Sequence, residues 1–228
     1  MRGALFGLAL LALTSISAAE PGSLSFRFIG NMAYAISDGK TTLYTDFPYQ
    51  SGYADYMTYD FEAVPKTTGS LCLITHGHLD HFDPSLFPRM DCALIAPADV
   101  VAKVKTDRAI PFAPLMTYRD IRIEAVETPH AGIGHSSYLV TWNGLRLYFT
   151  GDTESTERLL AMKNLDAALV SPWLLNAVAE QKARIDSRNV IVYHQRPTGT
   201  VPDIQKRRLP KQGETFTLEG VSAAGVPR

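Results

Sequence analysis

The chain has 228 residues, 46% of them hydrophobic and 20% charged, which suits one globular unit with an ordinary core. Its formal net charge is −1, so no overall electrostatic attraction draws it to nucleic acid or an anionic membrane. There is no repeat, low-complexity stretch or linker.

The first residues read as an export signal. Met1-Arg2 forms a small positive region, Ala4 to Ile16 an apolar run, and Ser17-Ala18-Ala19 a site of small residues, so cleavage is expected after Ala19. The apolar run is shorter than the ~20 residues that span a bilayer. The expected mature domain is 20–228, in the periplasm or outside the cell, with no stable membrane insertion.

Leu24 to Ile29, Met32 to Ile36 and Thr41 to Thr45 read as strands, with a hairpin turn at Asp38-Gly39. The aperiodic, tyrosine-rich segment from Phe47 to Phe61 reads as a loop that lines something. Ser70 to Thr75 is an apolar run of the kind a buried strand shows, and Ala93 to Ala96 repeats it. Cys72 and Cys92 fall early in these two strands. These strands can be neighbours, and an oxidising compartment would then permit a disulfide; the alternative is two small buried apolar side chains. A helix is expected over Ala98 to Lys105 and a half-exposed strand over Ile121 to Glu127. Asn143-Gly144 between Ser137 to Trp142 and Leu145 to Thr150 is a strong hairpin signal, because a type I′ turn needs positive φ at both central residues. Helices follow at Glu154 to Lys163 and Asn176 to Arg188, with strands at Ala167 to Val170, Val190 to Tyr193 and Thr215 to Leu218. Strands with interspersed helices indicate a layered α/β or α+β domain.

Chemistry concentrates in "LITHGHLDHF". His76, His78, Asp80 and His81 lie within six residues, directly after a predicted buried strand, and the chain has only six histidines. Imidazole and carboxylate are the usual ligands of zinc, iron and manganese, whereas solvated turns favour Gly, Asn, Asp and Pro. Three more ligand-type residues also follow strands: His130, Asp152 in "TGDT", and His194. Each alone has an ordinary explanation, such as a helix cap for Asp152. Four strand ends delivering such residues together point to one metal centre.

"THGHLDH" resembles the H-x-H-x-D-H signature of the metallo-β-lactamase superfamily, and the later His, Gly-Asp-Thr and final His occur in that family's order. "FIGNMAYAISDGKTTLYTDFPY" is similar to its opening strands. The resemblance runs from about Leu24 to Leu218 and is nearest to compact hydrolases related to ascorbate-phosphate lactonases and to phosphodiesterases of the RNase Z type. It implies a four-layer αββα sandwich holding two divalent ions, zinc first, with manganese or iron as alternatives. His76, His78 and His130 would hold one ion, Asp80, His81 and His194 the other, and Asp152 would bridge them. His135 is the alternative to His130, which is preferred because the family places this ligand several residues before the strand that here is "SSYLV".

The resemblance further implies a hydrolase in which a hydroxide shared by two metals attacks an ester, lactone or phosphodiester bond of a small substrate, with Asp80 orienting it. Asp152 stands where true β-lactamases of this family carry Cys or Ser, which argues against β-lactam hydrolysis. Tyr49, Tyr53 and Arg196 are candidate substrate contacts, Arg196 for a carboxylate or phosphate. Asp46 is a candidate partner for a metal-bound histidine. The competing readings are an iron-dependent redox enzyme and a non-catalytic metal-binding protein.

Overall fold

A computed structural model describes residues 22–198, 201 and 205–220, so the expected signal segment 1–19 lies outside the described residues. In chain order the elements are β1 (Ser23–Gly30), β2 (Ala33–Ser37), β3 (Thr42–Thr45), β4 (Ser70–Leu73), β5 (Cys92–Ile95), α1 (Ala98–Val104), β6 (Leu115–Tyr118) and β7 (Ile121–Glu127). They continue with β8 (Ser136–Trp142), β9 (Leu145–Phe149), α2 (Thr156–Ala161), β10 (Leu165–Val170), α3 (Pro172–Glu180), β11 (Ser187–Val192), β12 (Arg207–Arg208) and β13 (Thr215–Glu219). The strands form two sheets, ordered β13-β1-β2-β3-β4-β5 and β12-β11-β10-β9-β8-β7-β6.

Strand alternation builds the layers. Leu24, Phe26 and Phe28 of β1, Leu71 and Leu73 of β4, and Leu145, Leu147 and Phe149 of β9 all face one core between the sheets. The intervening residues face outward and are covered too. Ala33, Ala35, Cys72 and Ile74 pack with Val100 of α1 and with Phe47, Tyr49 and Phe82 from loops. Tyr148 and Val170 pack with Leu159 of α2 and with Leu174, Leu175 and Val178 of α3. Each sheet is therefore buried on both faces, and the order is helix, sheet, sheet, helix, the four-layer sandwich expected. Among the described residues no helix is long and apolar enough to cross a membrane.

Both predicted hairpins form: Ser37 pairs with Thr42, Trp142 with Leu145, and Asn143 and Gly144 both have positive φ. The helix expected over Asn176 to Arg188 lies earlier. It begins at Pro172, where a missing N–H costs nothing, and ends at Glu180; Lys182 has φ 51° and β11 starts at Ser187. The edge strands β6 and β12 were not expected. Cys72 and Cys92, on neighbouring β4 and β5, form a disulfide with Cα atoms 6.0 Å apart.

Strand direction makes the site. β3, β4 and β5 run parallel, as do β9, β10 and β11. β1 is two antiparallel steps from β3, and β7 two from β9, so each shares its neighbour's direction. The carboxyl ends of β1, β3 and β4 thus lie at one edge of their sheet, and those of β7, β9 and β11 at one edge of the other. His194 N–H donates to the Asn31 carbonyl at 2.7 Å, and Ser136 N–H to the Thr75 carbonyl at 3.0 Å, which joins those two edges.

Candidate metal centre

Seven side chains converge at this edge in two sets. His76, His78 and His130 bring ring nitrogens within 4.8 Å of one another, and so do the ligand-type atoms of Asp80, His81, Asp152 and His194. In the first set His78 Nδ1 is 3.0 Å from His76 Nε2 and 3.4 Å from His130 Nε2. In the second, His81 Nε2 is 3.2 Å from Asp152 Oδ1, while His194 Nε2 lies 3.2 Å from Asp152 Oδ2 and 3.3 Å from Asp80 Oδ2. The sets adjoin, with the His76 and His81 rings 3.9 Å apart.

Three of the converging atoms, His81 Nε2, His194 Nε2 and Asp152 Oδ1, are buried without a hydrogen-bond partner. Leaving such groups unpaired is costly. A cation between them satisfies all three at once, so the donor set fits divalent metals that accept imidazole and carboxylate.

The surroundings orient two of the imidazoles, His81 and His76. Asp46, at the end of β3 and almost fully buried, accepts hydrogen bonds from Thr75 N–H at 2.8 Å and the Thr75 hydroxyl at 3.0 Å. Its other oxygen is 3.2 Å from His81 Nδ1. That contact keeps a proton on His81 Nδ1 and turns Nε2 toward the centre, where it is free to bind once its own proton is displaced. With its hydrogen given to Asp46, the Thr75 oxygen accepts His76 Nδ1–H at 3.1 Å, which leaves His76 Nε2 bare. One carboxylate therefore orients a ligand in each set.

His135 has a different place from His130. Its Nε2 accepts the Asp152 backbone N–H at 2.9 Å, so its proton sits on Nδ1, which is 2.8 Å from Thr128 Oγ1. Thr128 passes the chain to Ser137, whose hydroxyl donates to the Thr150 carbonyl at 2.7 Å. Both His135 nitrogens are thus engaged, Nε2 by the Asp152 main chain and Nδ1 by Thr128, and burial draws its pKa down to about 3. Gly151 leaves the space for this ring, since a Cβ there would fall 2.3 Å from His135 Nε2.

Charge follows from burial and neighbours. Burial opposes charge on His81, but the Asp152 and Asp46 carboxylates outweigh it and hold the imidazole well above its usual range. Burial likewise opposes charge on His194, and Asp152 and Asp80 raise it. Burial disfavours ionised Asp152, yet His81 and His194 hold it well below the usual carboxylate range, and Asp80 is also lowered. Burial lowers His76 and His130, which stay neutral and ready to bind.

The tyrosine-rich loop divides. Tyr49, expected to meet substrate, is fully buried against Tyr59 and donates its hydroxyl to the Met57 carbonyl, so it packs the wall instead. Tyr53 is 40% exposed. Tyr56 stands edge-on to His194 with ring centroids 4.6 Å apart, and Trp173 does the same from the first turn of α3 at 4.7 Å. Arg196 is exposed and lies over the Tyr56 ring at 4.5 Å. Reasoning from sequence missed Trp173, Asn31 and the role of His135; the only local signal was "IGN", a Gly-Asn pair suited to a left-handed turn.

The sequence model of the family described as "Beta-lactamase superfamily domain" matches residues 25–172, which contain six of these seven side chains. The chain belongs to the metallo-β-lactamase superfamily. Solved structures share the fold of this superfamily member. Igni18, described as a novel metallo hydrolase from the archaeon Ignicoccus hospitalis KIN4/I, superposes with a TM-score of 0.66 at 16% identity, over 86% of this chain and 99% of that one. An isothiocyanate hydrolase from Delia radicum gut bacteria gives 0.59 at 13% identity, over 86% and 100%. CmlA, a diiron β-hydroxylase from Streptomyces venezuelae, gives 0.55 at 12% identity, over 77% of this chain and 45% of that one. No curated protein sequence matches the chain.

Proposed function

We propose that this protein is an exported, dinuclear metal-dependent hydrolase of ester, lactone or phosphodiester bonds in small substrates. The observation that carries the reading is the convergence of two adjoining ligand sets, the second of which buries His81 Nε2, His194 Nε2 and Asp152 Oδ1 with no hydrogen-bond partner. His76, His78 and His130 would hold one ion, Asp80, His81 and His194 the other, and Asp152 would lie between them. Bound divalent ions supply Lewis acidity and lower the pKa of water toward neutrality.

The chain's own groups do the rest. Asp80, kept ionised by its histidine neighbours, would orient the attacking water as a charged acceptor. Arg196, steadied on Tyr56 and permanently charged, receives an anionic group of the substrate. Trp173, like Tyr56, packs edge-on against His194. The names of Igni18 and the isothiocyanate hydrolase favour hydrolysis. Export is supported by the N-terminal signal pattern and by the Cys72–Cys92 disulfide, a linkage that persists in oxidising compartments.

The test is elemental analysis of purified residues 20–228 followed by assays on lactones and phosphodiesters. About two zinc or manganese ions per chain with turnover is the expected result. Asp152→Ala should lose at least one ion and nearly all hydrolysis. Iron with no hydrolysis would favour the second reading, a redox enzyme, which the fold shared with diiron CmlA and the His/carboxylate ligands also suit. Absence of metal after incubation with zinc would refute both.

A further inference from the structure

We propose that Asn31 is a positioning residue that locks Asp80 to His194, and so sets the geometry of the second ligand set. The inference rests on that set being a metal site. Asn31 is fully buried in the turn between β1 and β2. Its side-chain amide donates to the Asp80 carbonyl at 2.6 Å. Its own carbonyl accepts the His194 N–H at 2.7 Å. Asp80 belongs to the loop after β4, in one sheet, and His194 follows β11, in the other. One residue thus bonds both loops at the point where their side chains stand 3.3 Å apart, His194 Nε2 to Asp80 Oδ2.

The requirement for asparagine follows from three conditions met together. The backbone has φ 55°, a left-handed conformation that Gly and Asn tolerate and branched residues resist. The Asp80 carbonyl needs a donor, which fixes the orientation of the amide and which aspartate lacks. The turn is also closed on its other side, because a Cβ on Gly30 would meet the Tyr49 hydroxyl at 2.7 Å. His194 itself has φ 56°, so its backbone leaves the extended course of β11 at the residue bonded to Asn31.

The test uses Asn31→Gly and Asn31→Asp in the otherwise intact protein. Glycine keeps the left-handed turn and the main-chain bond to His194 but removes the donor to Asp80. Aspartate keeps the size and removes the donor. Apo protein with 15N-labelled histidine would be titrated with zinc in competition with a chelator, following each ring nitrogen separately. The proposal expects a ten- to hundredfold loss of zinc affinity reported by His81 and His194. It also expects unchanged affinity at His76, His78 and His130, which a general loss of stability would not spare. Affinity unchanged from wild type at both sets, or an equal fold loss at both, would overturn it. If Asn31→Gly does not fold, Asn31→Asp alone decides by the same comparison. A wild-type protein that binds no zinc at His81 and His194 would sink the metal reading itself, whereas two bound ions with no effect of Asn31 would sink only this proposal.

Discussion

Replacing Asp46 with Asn tests whether metal affinity is built from behind the ligands. The substitution keeps an oxygen for Thr75 N–H and removes the negative charge facing His81 Nδ1. A hydrogen bond to a charged group contributes about 1.5–3 kcal/mol, and loss of such an outer partner weakens metal binding about 10- to 100-fold. On the proposed dinuclear reading, the deficit should be larger for an ion at His81, whose ring Asp46 meets directly, than for one at His76, reached through Thr75. A second effect has the opposite sign. Asp46 also raises the proton affinity of His81, so its loss relieves competition between proton and metal. The net deficit should therefore be small in acid and grow as pH rises and the wild-type His81 gives up its proton. Chelator competition with zinc at several pH values measures it. An Asp46→Asn affinity within about threefold of wild type across the whole range would refute the claim that this carboxylate orients His81.

Proton linkage should be visible in the wild type. His81 and His194 are raised, so their contribution to apo stability is full below their unfolded value of about 6.5 and is lost as pH rises through the folded values. Metal must displace those protons, so zinc affinity should increase with pH and the binding enthalpy should vary with the ionisation enthalpy of the buffer; a buffer-independent enthalpy would contradict this. Gly151→Ala should drive a methyl into the His135 ring and strain a backbone at φ 60°, costing about 1–3 kcal/mol and weakening metal binding through Asp152, as melting and metal titration would show. Cys72→Ser with Cys92→Ser opens a link between residues 20 apart, so about 3 kcal/mol of stability and roughly 6–12 °C of melting temperature should be lost. A melting temperature that does not move would show that packing of β4 on β5 suffices alone.

Much of the architecture was legible because its signals are local. Alternation in β1 and β9, the Asn143-Gly144 turn and the apolar run before His76 each reflect backbone preferences over a few residues. The helix near residue 180 was misplaced because apolar periodicity there does not mark the start that Pro172 makes geometrically. The short edge strands β6 and β12 went unread because edge pairing depends on a neighbour, not on composition.

The same division runs through the site. Residue types and order were enough to name seven ligand candidates, since metal chemistry limits which side chains serve and the cluster at His76 to His81 is dense. Tertiary structure decided the rest. It put Tyr49 in the wall and Tyr56 beside His194, gave His135 to Asp152 rather than to the first ligand set, and assigned Asp46 to His81 and Asn31 to Asp80 and His194. Those relationships join residues up to 163 positions apart, as Asn31 and His194 are. No local pattern encodes them, because which groups meet across two sheet edges is set only when the sheets close on a common core.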